Sequence, residues 1–342
     1  MKYLSLFSGI GGFEKGIQQA YEQLQNDSET GRCGQEESLS ERLMSDISSE
    51  SNKRQCPTCI GYSEIDKYAI ATYQQHYPEH HNYGDITRIN ADELPDFDLL
   101  VGGFPCQAFS IAGKRKGFED TRGTLFFEIA RILRAKQPRL FCLENVKGLL
   151  SHDNGATFST IISTLNELGY DLQWQVLNSK NHGVPQNRER VFIIGHLRGT
   201  SRPEVFPFGE TPNRVSKQNG GLWGEVCYNE EGGNKSDNNG KILQDVINRL
   251  LHLRQIIGGS QGERVYDPEG VSTTLAGLAG GHGAKTGLYL TDMKIRRLTP
   301  TECERLQGFP DNWTIGSDTQ RYKQCGNAVT VNVIKDIMER LL

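Results

Sequence analysis

Short apolar runs alternate with segments of helical periodicity along the first 195 residues. The apolar runs predict strands, and the segments between them have the spacing of amphipathic helices. The predicted strands are Tyr3–Phe7, Ile60–Ile65, Phe97–Gly102, Leu140–Glu144, Tyr170–Leu177 and Arg190–Gly195. The predicted helices are Phe13–Gln25, Lys67–His76, Leu125–Ala135 and Ala156–Leu168. This alternation indicates a doubly wound α/β sheet, in which ligands bind at the carboxyl ends of the strands.

Two segments depart from this alternation. Residues 26–57 are rich in Ser, Glu, Asp, Asn and Gln, which is typical of a polar insertion. Residues 196–295 are rich in glycine and turns, with short β-like pieces over Arg264–Tyr266 and Gly287–Leu290. We therefore predict a main domain of residues 1–195 and 318–342, closed by an amphipathic helix over Val331–Leu342. Residues 196–317 are predicted to form a smaller domain of irregular β structure with a return segment.

The distribution of charge along the chain is compatible with a nucleic-acid partner. The chain of 342 residues has a formal net charge of −4, but residues 26–50 alone carry −5, so the remainder is slightly basic. Basic residues cluster at Lys114, Arg115, Lys116 and Arg122, at Arg188 and Arg190, and at Arg296 and Arg297. A local basic face of this kind is compatible with DNA binding.

The hydropathy of the chain and its cysteines indicate the cellular compartment that we expect. No run approaches the ~18 apolar residues of a membrane span, and the first residues lack the features of a signal peptide. We expect a cytoplasmic protein whose eight cysteines are reduced thiols.

Polar and glycine residues follow three of the predicted strands. The turn SGIGG follows the first strand, and glycines allow a backbone to approach a ligand closely. Glu64 ends the second strand, where a carboxylate can accept hydrogen bonds from ribose hydroxyls. Asp85 lies at a third strand end and could accept from an adenine amino group. Together they predict a site for a nucleoside-type cofactor, and they leave NAD and S-adenosylmethionine both open.

Cys106 follows Pro105 directly beyond an apolar run, in the stretch FPCQAFS. A nucleophilic thiol needs exposure and nearby donors or positive charge, and the loop GKRKGFEDTRG that comes next can supply both. Glu144 ends another strand. Arg188 and Arg190 alternate, so both would point to one face of an extended segment, although alternating arginines are also typical of a solvated strand.

Seven motifs occur in order along the chain: FSGIGG, SEID, GGFPCQAFS, LENV, QNRERVFIIG, RRLTPTECERLQGFP and QCGNAV. Together they resemble the DNA (cytosine-5)-methyltransferases, especially the small bacterial restriction-modification enzymes. The resemblance covers nearly the whole chain except residues 26–57 and about 198–250. It implies a class I, Rossmann-like S-adenosylmethionine-dependent methyltransferase domain and a small target-recognition domain.

The resemblance also implies a reaction. The thiolate of Cys106 would add to C6 of a cytosine that has been flipped out of duplex DNA, which activates C5 toward the methyl group of S-adenosylmethionine. Glu144 would hold and transiently protonate ring N3. Arg188 would hold the cytosine O2 or orient Cys106, and Arg190 would support the site or bind phosphate. Asn145 would brace the cysteine loop.

Further residues are assigned to ligands on the same basis. The cofactor residues are expected to be Phe7, Ser8, Gly9, Ile10, Gly11, Gly12, Glu64, Ile65, Asp85, Ile86, Pro105, Leu125, Asn327, Ala328 and Val329. Gln261 would fill the space of the flipped base, Arg264 is a candidate for guanine readout, and Thr274 would touch the DNA backbone. Lys114 and Arg122, from the basic loop, are further candidates for DNA contact. We expect a monomer with a separately encoded restriction endonuclease as a possible companion.

Other functions compete with this interpretation. A cytosine-5 methyltransferase of tRNA would use the same chemistry, although QGERVYDPEG favours DNA. A DNA-binding regulator built on an inactive methyltransferase is disfavoured by the presence of Cys106, Glu144 and both arginines. A cysteine-dependent NAD enzyme would leave GNAV unexplained. Cys56 and Cys59 form a CxxC pair that raises the question of zinc, but we find no convincing fourth ligand and expect no metal.

Overall fold

The structure is a computed structural model that describes residues 1–30, 56–105, 125–208, 255–257, 264–268, 270–277, 286–291 and 294–342. Its strands are β1 (Lys2–Leu6), β2 (Thr58–Ser63), β3 (Leu99–Gly103), β4 (Leu140–Val146), β5 (Tyr170–Asn178), β6 (Glu189–Leu197), β7 (Gln255–Ile257), β8 (Val265–Tyr266), β9 (Leu288–Thr291) and β10 (Lys294–Arg297). Its helices are α1 (Gly12–Thr30), α2 (Lys67–His76), α3 (Leu125–Lys136), α4 (Ala156–Glu167), α5 (Pro300–Leu306), α6 (Asp318–Asn327) and α7 (Val331–Leu341).

Six strands form the large sheet in the order β2-β1-β3-β4-β6-β5. The first four are parallel to one another, so their carboxyl ends share one edge. Strand β6 runs antiparallel to both β4 and β5. The predicted α/β sheet is thus confirmed, and periodicity alone could not have shown that β6 is reversed, because direction is set by pairing.

Apolar side chains cover both faces of this sheet. Leu4 and Leu6 of β1 point into one cluster with residues of α3 and α4, whereas Tyr3 points into another with residues of α1 and α7. Helix α7 packs closely on α1, since a Cβ at Gly16 would lie 2.6 Å from Cβ of Ile334. The C-terminal helix therefore returns to the large sheet, as its amphipathic pattern predicted.

Helix α1 continues five residues beyond the predicted end at Gln25. Its later turns are polar, and side chains four positions apart bond to each other there. Gln18 donates to Glu22 at 2.9 Å, and Gln23 donates to Asp27 at 2.9 Å. Part of the predicted insertion is therefore helical, and residues 31–55 lie outside the described part of the chain.

A smaller sheet has the order β10-β9-β8-β7, with β8 and β9 parallel and the other pairs antiparallel. Segments that we assigned to the smaller domain also contact the large sheet. Val205 is fully buried, and its N–H donates to Gln173 Oε1 of β5 at 3.1 Å. Trp313 donates from Nε1 to the carbonyl of Ile10 at 2.9 Å. Residues on both sides of the predicted boundaries therefore contact the main domain, through β5 for Val205 and through the turn after β1 for Trp313. The boundaries after residues 195 and 317 stay a prediction.

Candidate active site and cofactor turn

The parallel pairing of β1 to β4 brings together the residues that follow these strands. Phe7 follows β1, Glu64 follows β2 and Phe104 follows β3. Glu144 lies two residues before the end of β4. The segment around Asp85 joins them, because Tyr62 of β2 forms a parallel bridge with Asn82. The structure therefore places several of the predicted functional residues along one edge of the sheet.

The glycine turn after β1 is held in place by Glu64. Its Oε2 accepts from the N–H of Gly9 at 2.9 Å, and its Oε1 accepts from the N–H groups of Ile65 and Asp66, each at 2.8 Å. Gly9 has φ +55°, and a Cβ there would meet no described atom within 4 Å. A Cβ at Gly11 would instead lie 2.7 Å from the ring of Tyr77. Gly9 thus faces open space, whereas Gly11 permits close packing behind the turn.

Three further predicted cofactor residues lie along the same edge of the sheet. Ile65 is 73% exposed, which is unusual for a large apolar side chain next to a buried strand, and Phe7 is half-buried. Asp85 Oδ1 accepts from the N–H and the hydroxyl of Thr87 at 3.0 and 2.9 Å. These hydrogen bonds lower the pKa of Asp85, so the side chain is an ionised acceptor at neutral pH.

The other predicted cofactor residues differ in exposure. Ser8, Ile10, Gly11, Gly12, Ile86, Ala328 and Val329 are buried, Leu125 is half-buried, and Pro105 and Asn327 are exposed. The loop at 327–329 contacts the glycine turn directly, because a Cβ at Gly12 would lie 2.7 Å from Cγ1 of Val329. The structure therefore brings the first and the last of the predicted cofactor motifs together.

Glu144 forms an ion pair with Arg190. Oε1 of Glu144 lies 2.9 Å from Nε of Arg190, and both side chains are largely buried. Oε2 of Glu144 faces β3, since a Cβ at Gly103 would lie 3.0 Å from it. Gly103 is the last residue of β3 and precedes the Phe-Pro-Cys sequence. A paired carboxyl group therefore lies beside the strand end that leads to the predicted nucleophile.

Asn145 holds the same strand end. It is 2% exposed, and its Nδ2 donates to the carbonyl of Phe104 at 2.9 Å. Its Oδ1 accepts from the N–H of Val146 at 2.8 Å. This geometry fits the bracing role expected for Asn145. Cys106 itself, with Lys114, Arg122 and Gln261, lies outside the described residues.

Arg188 has different partners from those that the sequence suggested. It is 2% exposed and donates to three backbone carbonyls, at 3.2 Å to Leu275, 3.1 Å to Gly326 and 2.8 Å to Ala328. Burial, together with the charge of Arg190, lowers the pKa of Arg188 to about 9, so the group remains charged at neutral pH. The structure thus places Arg190 against Glu144, whereas Arg188 points to buried carbonyls.

The predicted DNA-reading residues fall into two environments. Arg264 is exposed just before β8. Thr274 is exposed too, but its hydroxyl donates to the carbonyl of Asn187 at 2.5 Å. Thr274 thus belongs to a segment that contacts the QNRER motif.

A buried carboxyl group behind the glycine turn was missed by the sequence analysis. Glu14 in the first turn of α1 is 1% exposed and accepts from the hydroxyl of Tyr73 at 3.0 Å. Tyr73 also contacts Nδ1 of His80 at 2.9 Å. Burial raises the pKa of Glu14 to about 7. The available signal was its position beside Phe13 and Ile17 on the apolar stripe of the helix.

Neither a membrane span nor a metal cluster is found in the described ranges. None of the helices described is long and apolar enough to cross a bilayer. Within the same part of the chain, no three His, Cys, Asp or Glu side chains are grouped to hold a metal ion. Cys56 is exposed, and Cys59 Sγ lies 3.3 Å from the carbonyl of Gly61. The expectation of no metal stays a prediction.

A mainly parallel sheet with helices on both faces and a glycine turn at its carboxyl edge defines an α/β enzyme of the type that binds nucleoside cofactors. The family model for C-5 cytosine-specific DNA methylase matches residues 1–342. The chain therefore belongs to the C-5 cytosine-specific DNA methylase family. This confirms the resemblance, the fold class and the enzyme class that the sequence predicted.

Individual relatives agree with this assignment. The Type II methyltransferase M.HhaI of Haemophilus parahaemolyticus is 36% identical over 354 residues, which cover 98% of this chain and 93% of the relative. The Type II methyltransferase M1.ScrFI of Lactococcus lactis subsp. cremoris is 42% identical, with coverage of 82% and 71%. The crystal structure of S. pombe Dnmt2 methyltransferase matches with a TM-score of 0.63 and 17% identity, covering 100% of this chain and 98% of that one. That structural likeness supports the fold.

Proposed function

We propose that the protein transfers a methyl group from S-adenosylmethionine to C5 of a flipped-out cytosine in a short, specific sequence of double-stranded DNA. The reaction proceeds through a covalent bond between Cys106 and C6 of the base. The observation that carries this proposal is the Glu144–Arg190 pair. Nε of Arg190 and Oε1 of Glu144 are 2.9 Å apart. The pair lies on the same sheet edge as the glycine turn and beside the end of β3, which leads to Cys106.

The residues at the glycine turn fit S-adenosylmethionine. Gly9 presents backbone to open space, which a side chain at that position would fill. Oε2 of Glu64 accepts from the N–H of Gly9 and has a second lone pair for a ribose hydroxyl, and Asp85 supplies an ionised acceptor for the adenine amino group. Ile65 and Phe7 offer apolar surface to the adenine ring. When bound, the cofactor supplies an electrophilic methyl group.

The two oxygens of Glu144 have separate tasks. Oε2 faces the Gly103 side of the site, where it can hold N3 of the cytosine. Addition of the Cys106 thiolate to C6 pushes electrons toward N3, and a proton from the carboxyl group of Glu144 neutralises that charge. Arg190, bonded to Oε1, stabilises the carboxylate that results. After C5 has accepted the methyl group, a base such as water takes the C5 proton, the Cys106 thiolate leaves by elimination, and the proton on N3 returns to the Glu144 carboxylate.

Arg188 takes a different role from the one implied by resemblance. The guanidinium hydrogen bonds that the structure describes go to the carbonyls of Leu275, Gly326 and Ala328 rather than to Glu144. We therefore assign the contact with the base site to Arg190. Because the target cytosine must leave the duplex, the enzyme also spends a few kcal/mol on lost stacking and pairing, which contacts with the DNA must offset.

Methylation sequencing tests the proposal directly. Plasmid DNA from cells that lack their own cytosine-5 methyltransferase is treated with bisulfite after expression of the wild-type chain or a variant. We expect one short motif to be methylated at C5 by the wild type and not by Cys106→Ser. The matched control is Glu189→Gln, which removes an exposed ion pair with Lys147 next to Arg190 and should retain activity. Soluble, cofactor-binding protein that leaves DNA unmethylated would contradict the proposal, and tRNA would be the next substrate tested.

A further inference from the structure

Three segments meet at one junction around the buried side chain of Arg188, and they consist of residues 185–188, 272–277 and 326–328. The first two are joined by an isolated parallel bridge between Gln186 and Ser272. The N–H of Ser272 donates to the carbonyl of Pro185 at 2.8 Å, and the N–H of Asn187 donates to the carbonyl of Ser272 at 3.0 Å. The expected recognition region is thus attached by backbone hydrogen bonds to the segment that leads through Arg188 into β6.

The guanidinium of Arg188 links the second and third segments. One terminal nitrogen donates to Leu275, and the other donates to both Gly326 and Ala328. All three acceptors are backbone carbonyls, so no side-chain rotation can replace them. Moving either segment away would leave a buried charged donor without a partner, which costs more than the loss of a neutral hydrogen bond.

Two glycines allow these segments to touch. A Cβ at Gly326 would lie 2.6 Å from the backbone carbon of Ala276, and a Cβ at Gly277 would lie 2.8 Å from Cγ of Asn327. Backbones that approach so closely have little freedom to shift independently. Residues 327–329 also contact the glycine turn through Val329 and Gly12. A continuous chain of contacts therefore runs from the cofactor turn to residues 272–277.

We propose that Arg188 is a positioning residue that couples the cofactor loop at 326–329 to the recognition segment at 272–277. This inference rests on the proposed function, because it takes the first segment as a cofactor contact and the second as part of the DNA-binding region. Cofactor binding then orders the recognition segment. By thermodynamic reciprocity, DNA raises the affinity for the cofactor by the same factor by which the cofactor raises the affinity for DNA.

Hydrogen exchange can test the coupling without DNA. Amide exchange is measured in the wild type and in Arg188→Met, each with and without S-adenosylhomocysteine. In the wild type we expect the ligand to slow exchange at residues 326–330 and also at 272–277. In Arg188→Met we expect slowing at 326–330 alone. A purely structural role would change exchange with and without ligand alike, and would leave the ligand-induced difference at 272–277 intact.

Affinity measurements give a second readout. The dissociation constant for a duplex with the motif found by methylation sequencing is measured with and without S-adenosylhomocysteine. We expect the ligand to tighten the wild-type complex about 5-fold or more, and the Arg188→Met complex by less than about 2-fold. The matched control is Arg198→Met, which removes an exposed arginine bonded to Asp171 and should keep the wild-type ratio.

A second variant covers the case in which Arg188→Met does not fold. Gly277→Ala disturbs the same junction by pushing on the side chain of Asn327 and leaves the buried charge paired. It should also lower the factor by which S-adenosylhomocysteine tightens DNA binding. If a folded Arg188→Met or Gly277→Ala protein shows the same ligand-induced tightening of DNA binding as the wild type, the inference is overturned and the proposed function is unaffected. A wild-type chain that neither binds S-adenosylhomocysteine nor methylates DNA would instead refute the proposed function.

Discussion

Glu14→Gln should remove a pH-dependent part of the stability of this protein. Glu14 is buried between α1, the large sheet and α2, where Tyr73 donates to its Oε1 at 3.0 Å. Glutamine has nearly the same shape and keeps an oxygen acceptor for Tyr73, but it does not titrate. The comparison therefore isolates the protonation of one buried carboxyl group.

The magnitude follows from the pKa of Glu14, which burial raises from 4.5 to about 7. Below pH 4.5 the group is protonated in both the native and the unfolded state. Between 4.5 and 7 the native state holds a proton that the unfolded state has released, so stability falls as the pH rises. Above 7 neither state holds the proton. From about pH 5 to about pH 8 the wild type should lose about 2.5 kcal/mol through this residue, at 1.36 kcal/mol for each unit.

Urea denaturation at several pH values, followed by tryptophan fluorescence, measures this loss. The free energy of unfolding of Glu14→Gln minus that of the wild type should rise by about 2.5 kcal/mol between about pH 5 and about pH 8. Glu22→Gln, which changes an exposed glutamate of the same helix, should show almost no such rise. A Glu14→Gln difference that is constant across this range would refute the argument, because it would mean that Glu14 titrates alike in the native and unfolded states.

Other substitutions test other parts of the site. Glu64→Gln removes the charge that accepts from three backbone N–H groups, so it should weaken S-adenosylhomocysteine binding about 10-fold. Isothermal titration calorimetry measures this affinity, and an unchanged value would count against the cofactor assignment. Arg190→Gln should slow methyl transfer at least about 100-fold in a tritium-transfer assay while the melting temperature stays within a few degrees, and a fast variant would remove Arg190 from the mechanism. Trp313→Ala should cost about 3–5 kcal/mol in urea denaturation, because this side chain is buried against Ile10 and stacks on His76. A small loss would show that residues 300–317 pack loosely on the glycine turn and α2.

Local sequence patterns were sufficient for the parts of the fold that local forces determine. Apolar runs such as Leu99–Val101 form strands because their residues bury on both faces of a sheet, and the glycine turn follows β1 because Gly9 and Gly11 have positive φ. The alternation of elements then implies parallel strands whose carboxyl ends share an edge. Glu64 could therefore be placed near the turn without a structure, and the structure adds its bond to Gly9.

Tertiary structure alone decided which groups meet. Arg188 and Arg190 are equivalent in the sequence pattern, yet one bonds to three carbonyls from distant segments and the other pairs with Glu144. The reversal of β6, the bond of Trp313 to the turn after β1 and the bond of Tyr73 to Glu14 are of the same kind. Periodicity reports whether a residue is buried, because burial is a property of one position. Hydrogen-bond and charge partners depend on two positions brought together by folding, so only the three-dimensional arrangement determines them.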